Sequence, residues 1–236
     1  MNHTITWADI TRLKKVAKAA KKHSPEYSHM QHLDKIAAKE FGARNFHELQ
    51  QHYLTIVDSH VETNDESCYC GYCDFNFVNT LSEDVKEHLK RHQLFEEAEI
   101  RLGFLPDKYR AREKIKSLGY DDMRTSDVVK QRRGALAVLL SYFNRSIFSA
   151  IENESLHAHP YFDEYIAHVV PSASFIPEKI RDALVVEFGE REEIFFSTET
   201  YWPVRSASQY NYPKGNKEIS DRISKFILNA YSEKIL

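Results

Sequence analysis

Two cysteines and two histidines stand at metal-ligand spacing in the first half of the chain. Cys70 and Cys73 are separated by two residues, and His88 and His92 follow after a spacer of fourteen. Residues four apart lie on one face of a helix, so both imidazoles can face the same ion. Two thiolates with two imidazoles are a typical ligand set of structural zinc. The spacing therefore predicts Zn2+ as a cofactor and a small fold around it.

The third cysteine, Cys68, leaves one alternative open. It could replace Cys70 as a ligand, or it could be an ordinary strand residue. All three cysteines of the chain lie between positions 68 and 73, so none remains for a disulfide framework elsewhere. Clustered thiols beside histidines favour a reducing compartment. With no apolar run near the length of a membrane span, we expect a cytoplasmic protein without a membrane partner.

The residues between the ligands fit a known small module. Phe77 and Val85 can supply an aromatic and an aliphatic core residue, and Thr80 with Glu83 forms a capping box for a helix. Residues 68–94 therefore resemble the Cys2His2 zinc finger, although the spacer is two residues longer than the usual ~12. The resemblance implies a ββα fold that needs its metal in order to fold.

A zinc finger does not by itself indicate DNA recognition. By alignment with DNA-reading fingers, the base-facing positions would hold Leu81, Asp84 and Glu87. Two carboxylates would then face a phosphate-lined groove, and the arginine that usually contacts guanine is absent. A structural or protein-docking role for the finger therefore stays open beside nucleic-acid contact.

Basic charge is concentrated outside that face. The net charge is −3, but residues 1–50 carry 9 Lys and Arg against 5 Asp and Glu, whereas residues 51–81 carry 0 against 5. The N-terminal segment is the best electrostatic candidate for a polyanionic partner, although a solvated helix face explains the excess about as well. The candidate phosphate contacts are Lys18, Lys21, Lys22, Lys86, Lys90 and Arg91.

The remaining pattern is mostly helical. Glycine is sparse, at 7 residues, and apolar positions recur at helical spacing. The fold class is therefore mostly α, with four parts along the chain. These are a three-helix module at 1–53, an acidic linker at 54–67, the ββα finger at 68–94 and a helical C-terminal domain at 95–236.

Capping residues divide the first part into its three helices. Thr6 can begin the first, Ser28 with Gln31 forms a capping box for the second, Gly42 can end it, and Asn45 can begin the third.

The second and third of these helices resemble a short helical module of bacterial proteins, many of them encoded on plasmids or other mobile elements. Ala43 departs from the aromatic residue expected after the glycine. The resemblance implies a bacterial origin and no catalytic residue. The matching residues are Ser28, His29, Leu33, Ile36, Ala37, Gly42, Asn45, Phe46, His47 and Leu49.

The C-terminal part contains two weaker patterns. A second metal or acid–base cluster could be formed by His157 and His159 with Asp163, Glu164 and His168, but the solvent-facing start of a helix is favoured. The segment 197–215 interleaves aromatic and basic residues, which suits either base stacking or packing on the helical core, and packing is favoured. Its members are Tyr201, Trp202, Arg205, Tyr210, Tyr212 and Lys214.

These patterns support three functional hypotheses. The leading one is a bacterial zinc-finger protein with a nucleic-acid-binding or regulatory role, encoded in a mobile element or a defence locus. The alternative is a zinc-stabilised module whose partner is a protein. The third is a toxin or nuclease-like effector using the His157 region. No segment has established catalytic spacing, so an enzyme is not favoured.

Overall fold

A computed structural model describes residues 4–191 and 215–235 of the chain. They form two compact units, Met1–Leu105 and Pro106–Leu236, and each unit is described by itself. Helices dominate both units, and the strands described form one small antiparallel sheet. The mostly α fold class is confirmed.

Three capped helices open the first unit: α1 (Trp7–His23), α2 (His29–Phe41) and α3 (Phe46–Asp58). The side chains of Thr6, Ser28 and Asn45 each accept a hydrogen bond from a backbone N–H in the first turn of the following helix. Gly42 ends α2 with φ at 69°, a left-handed conformation that favours glycine. The predicted starts of all three helices and the predicted end of α2 are thus confirmed, whereas α3 runs five residues past the predicted end of the module at position 53.

One apolar cluster holds the three helices together. Each helix contributes the residues of one stripe, as expected for amphipathic helices around a shared core. The fully buried members include Ile10, Leu13, Ala17, Ala37 and Leu49.

A three-stranded antiparallel sheet follows α3 almost directly. Its strands are β1 (Val61–Asn64), β2 (Ser67–Cys70) and β3 (Phe75–Val78), in that order across the sheet. Residues 54–67 thus finish α3, form β1 and begin β2, so the prediction of an acidic linker there was wrong. β1 is a short, polar and mostly exposed edge strand, which gives no alternating apolar pattern for sequence reasoning to detect.

A long helix, α4 (Ser82–Leu102), completes the first unit. Leu81 precedes its first turn without a side-chain cap, so the capping box predicted at Thr80 was wrong. Asp84 Oδ2 instead accepts a hydrogen bond from the backbone N–H of Val78, at 3.1 Å. The helix runs eight residues past the expected end of the finger at position 94, and it stops at Gly103, where φ is 81°.

Five α-helices form most of the described part of the second unit. The longest, α6, begins at the Asp127 cap and ends at Glu152. It packs chiefly on α5, and the two backbones approach closely where Gly119 faces Gly134: a Cβ on Gly134 would lie 2.4 Å from the Gly119 carbonyl oxygen. The helices are α5 (Tyr109–Met123), α6 (Val128–Glu152), α7 (Phe162–Val169), α8 (Glu178–Phe188) and α9 (Lys217–Ile235).

Helix α6 is also the one described helix that is long and apolar enough to cross a membrane by length and composition. Within its most apolar window, 78% of the residues are buried inside the unit, which is usual for the core helix of a globular domain. The expectations of no membrane partner and of a cytoplasmic location stay predictions.

Candidate metal centre

The two predicted cysteines and the two predicted histidines meet at one point in the first unit. Cys70 ends β2, Cys73 lies in the turn before β3, and His88 and His92 lie one turn apart on α4. All four side chains are buried, and one potential ligand atom from each lies within 4.8 Å of the other three. The cluster is thus compatible with a bound metal ion.

One measured distance between donor atoms agrees with a tetrahedral ion. Cys70 Sγ lies 3.5 Å from His92 Nδ1. A tetrahedral zinc ion with Zn–S near 2.3 Å and Zn–N near 2.0–2.1 Å sets such a sulfur–nitrogen edge at about 3.5 Å. His88 Nε2 is buried without a hydrogen-bond partner among the described residues. Because a buried polar atom without a partner is unfavourable, a metal ion would explain this nitrogen.

The turn between the cysteines is held by backbone and side-chain hydrogen bonds. The N–H of Asp74 donates to the Cys70 carbonyl at 3.0 Å, and the N–H of Gly71 donates to the His60 carbonyl at 2.8 Å. Asp74 has φ at 55°, which is uncommon for a residue with a side chain. Tyr69 Oη steadies it by donating to Asp74 Oδ1 at 2.7 Å. These bonds position both sulfurs through the protein's own contacts.

Aromatic rings orient the two imidazoles. Phe77 stacks on His88 with ring centroids 4.2 Å apart, and Tyr72 stacks on His92 at 4.5 Å. Tyr72 Oη in turn donates to Glu99 Oε2, which anchors that ring to α4. The contacts limit how far either imidazole can turn away from the cysteines.

One of the two cysteines is also prepared electrostatically. A hydrogen bond from the Cys73 thiol lowers the pKa of Cys70, while the same interaction raises the pKa of Cys73. The thiolate is the form that binds metal. Four protein donors would fill a tetrahedral coordination sphere, which is the arrangement of a structural rather than a catalytic zinc site.

Cys68 lies outside the four-residue cluster and is a buried strand residue. It pairs with Thr63 on β1 and Phe77 on β3, and its Sγ is 3.4 Å from Thr63 Oγ1. Of the two alternatives for this cysteine, the structure supports the strand residue.

Of the expected finger core, Phe77 is buried but Val85 is not. Val85 is 38% exposed, and Leu81, one turn earlier, is 53% exposed. The expectation that Val85 packs beneath the metal was therefore wrong. On α4 the apolar contact with the rest of the unit comes later, through Leu89 and the buried Phe95.

The candidate phosphate contacts lie on two helices, three of them on α1 and three on α4. Lys18, Lys21 and Lys22 are exposed on α1, and no carboxylate of the described residues forms an ion pair with them. Arg91 is half-buried: its Nε donates to the Cys73 carbonyl at 2.9 Å, and its guanidinium lies over the ring of Phe75.

The two remaining candidates lie on α4. Lys86 is paired with Glu83 at 2.7 Å, while Lys90 is exposed and has an interaction of its own. Of the base-facing positions, Asp84 accepts the hydrogen bond from the Val78 N–H, and Glu87 is exposed.

The histidines and carboxylate suggested as a second cluster are not brought together as a metal-binding group in the described ranges. His159 is buried, with Nε2 2.7 Å from Ser146 Oγ. Glu164 is also buried, and it forms an ion pair with Arg191. Of the predicted cluster, His168 does lie beside it, with Nε2 3.5 Å from Glu164 Oε1, whereas His157 is exposed. Since Glu164 and most of α7 are buried, the favoured solvent-facing helix start was wrong as well. The aromatic segment from Tyr201 to Tyr212 lies outside the described residues.

Sequence reasoning missed one residue beside the centre, Glu96. Its carboxylate accepts hydrogen bonds from the Trp7 backbone N–H at 2.9 Å and from Tyr53 Oη at 3.0 Å. Burial raises the pKa of Glu96. It lies one turn after His92 on α4, so the helix that carries the two candidate histidine ligands also binds α1 and α3. The available sequence signal was that Glu96 follows His92 by four residues, which places both on one face of α4.

Comparisons with protein-family models, with curated proteins and with solved structures find no match to this chain.

Proposed function

We propose that this chain is a zinc-stabilised nucleic-acid-binding protein that contacts phosphates through helix α1. In this proposal Cys70, Cys73, His88 and His92 hold a Zn2+ ion that fastens the sheet to α4 in the manner of a zinc finger. The ion has a structural role, because the four protein donors would leave it no open coordination position.

The observation that carries the proposal is the unneutralised basic face of α1. The helix has five exposed lysines, and its one acidic residue, Asp9, is occupied by the Thr6 cap and by Arg12. Other basic residues of the unit, Arg12 and Arg44 among them, have carboxylate partners. The five lysines are Lys14, Lys15, Lys18, Lys21 and Lys22.

The dimensions of this face suit a nucleic-acid backbone. At 1.5 Å per residue, the helix from Lys14 to Lys22 spans about 12 Å. Duplex DNA carries about one negative charge per 1.7 Å of its axis, so several phosphates lie within that length. The expected binding is driven by phosphates and depends strongly on salt.

The finger helix supports the proposal less than α1 does. Asp84 and Glu87 would repel phosphates, and the hydrogen bond from Arg91 to Cys73 ties that cation to the metal turn. We therefore assign α4 a scaffolding role. A bacterial protein of a mobile element or defence locus remains the expected setting.

The test is salt-dependent binding to a duplex DNA, measured by fluorescence anisotropy on the zinc-loaded protein. The variant carries Lys18→Glu, Lys21→Glu and Lys22→Glu. The matched control reverses three exposed lysines of the second unit, Lys130, Lys179 and Lys225, and so has the same net charge.

For every phosphate that the protein no longer neutralises, the slope of log affinity against log salt should fall by about 0.9. We expect a much weaker affinity and a smaller slope for the α1 variant, and affinity near wild type for the control. Equal binding by the α1 variant and by wild type contradicts the proposal.

A protein partner is the second candidate, and the exposed Leu81 and Val85 favour it. Both are apolar, they lie one turn apart at the start of α4, and neither is covered within the unit. A stable protein that co-purifies with wild type and is lost from a Leu81→Ser, Val85→Ser variant, with no nucleic acid retained, would favour this candidate.

A further inference from the structure

The corner between α1 and α2 is a hydrogen-bonded turn that carries an exposed aromatic ring. The N–H of Tyr27 donates to the Ser24 carbonyl at 3.3 Å, and Nε2 of the buried His32 lies 3.1 Å from the same oxygen. The Tyr27 ring meets the His32 ring edge-on at 5.7 Å. The ring is thus positioned by the fold rather than by a flexible loop.

Tyr27 nevertheless remains accessible. It is 38% exposed, and its neighbour Met30 is 56% exposed. The Nζ of Lys35 lies 3.2 Å from the ring centroid, so a cation lies against one face of the tyrosine. A buried core would explain an apolar ring here, but the ring faces solvent beside a cation.

The last turn of α1 brings further cations to this corner. These cations are Lys21 and Lys22, and Tyr27 follows five residues after Lys22. Cations at a helix C-terminus also interact favourably with the helix dipole, which is enough to explain why basic residues occur there. The dipole does not account for an exposed aromatic ring beside them, or for Lys35 on the next helix.

We propose that this corner binds an unpaired nucleotide, with the base stacked on Tyr27 and the backbone phosphates on Lys21, Lys22 and Lys35. Aromatic rings that alternate with cations are the means by which proteins hold single strands, because every unpaired base offers a face for stacking. A duplex hides those faces. The inference rests on the proposed function and narrows its ligand to single-stranded RNA or DNA.

The experiment compares anisotropy titrations of the zinc-loaded full chain with three labelled probes. These are a single-stranded RNA, a single-stranded DNA of the same sequence, and the corresponding DNA duplex, at one salt concentration. The variants are Tyr27→Ala and Tyr27→Trp. Phe226→Ala, which removes an exposed aromatic ring from the second unit, is the control.

We expect wild type to prefer at least one single strand over the duplex. Removal of the stacking ring in Tyr27→Ala should weaken binding of that strand by about 5- to 150-fold. Tyr27→Trp and Phe226→Ala should bind within about twofold of wild type, because a ring remains at position 27 in both. Whether RNA or DNA binds better identifies the sugar that the corner accepts.

Three results would overturn the inference. If Tyr27→Ala binds single strands as wild type does while reversal at Lys18, Lys21 and Lys22 abolishes binding, the stacking site is wrong and the proposed function stands. If wild type prefers the DNA duplex to both single strands, the stacking site is likewise wrong and the proposed function stands. If wild type binds no probe, both proposals are wrong. Circular dichroism melts of each variant separate loss of binding from loss of folding.

Discussion

The first unit holds its helices in two different ways. Around α1, α2 and α3, buried apolar side chains such as Leu13 and Leu49 form a continuous cluster. Between the sheet and the first half of α4, the equivalent apolar positions are poorly used, since Leu81 and Val85 are exposed. There the buried contacts are the four candidate ligands and the rings stacked on them.

This difference explains why the proposed metal would be needed in one part of the unit and not in the other. A small sheet cannot offset the loss of chain entropy with so few buried apolar groups, so metal ligation must supply the remainder. The three-helix cluster has a core of its own. Glu96 and Leu89 on α4 join the two parts.

Removal of the metal should have the largest effect, and it should be confined to one part. Structural zinc contributes about 10–16 kcal/mol of binding free energy in finger peptides. Cys73→Ser should therefore abolish amide protection in residues 61–92 while α1, α2 and α3 remain protected in hydrogen-exchange measurements. Cys68→Ser is the matched control and should keep one equivalent of metal. Uniform loss of protection throughout the unit would show that the two parts are not distinct.

A cavity in the three-helix core should reduce stability without removing the metal. Leu13 is fully buried, so Leu13→Ala should lower the free energy of unfolding by about 2–5 kcal/mol. Val16→Ala on the exposed side of the same helix should change it by less than about 0.5 kcal/mol. Denaturant unfolding gives both values, and metal analysis should still find one equivalent. Loss of the metal in Leu13→Ala would contradict the separation.

The junction at Glu96 should make stability depend on pH. Burial raises its pKa above the ordinary value of 4.5, so the folded protein binds a proton more tightly than the unfolded chain. The stability contributed by Glu96 is thus present below its unfolded pKa and lost as pH rises through the folded pKa. Wild type should become less stable relative to Glu96→Gln over that window in urea unfolding with zinc in excess. A difference that grows in the opposite direction would contradict this assignment.

The smallest effect is expected at Val85. Because this side chain is exposed, Val85→Ser should change the free energy of unfolding by less than about 0.5 kcal/mol. Phe77→Ala, which removes the ring stacked on His88, should lower it by about 3–5 kcal/mol. Thermal melts of the zinc-loaded variants compare the two. A large loss of stability in Val85→Ser would show that Val85 packs beneath the metal, as the zinc-finger resemblance implies.

Much of this architecture could be predicted from local chemistry. The caps at Thr6, Ser28 and Asn45 depend on one side chain and a neighbouring N–H, so they are visible in the sequence. The four candidate ligands were visible for the same reason, because their spacing reports a strand turn and one face of a helix.

The errors occurred where distant contacts decide the structure. β1 pairs with β2 through backbone hydrogen bonds, which its polar sequence does not predict. The length of α4 depends on its contacts with α1 and α3, including those of Glu96. Thr80 is a different case, because a local hydrogen bond from the Val78 N–H to Asp84 organises that turn although Thr80 has the residue type of a cap.

In the proposed metal centre, a zinc ion on Cys70, Cys73, His88 and His92 holds the sheet to α4. X-ray absorption at the zinc edge, with metal analysis of the same reduced sample, tests it most directly. We expect one zinc per chain with two sulfur ligands near 2.3 Å and two nitrogen ligands near 2.0–2.1 Å. Less than half an equivalent of zinc, together with normal folding of Cys73→Ser, would contradict it.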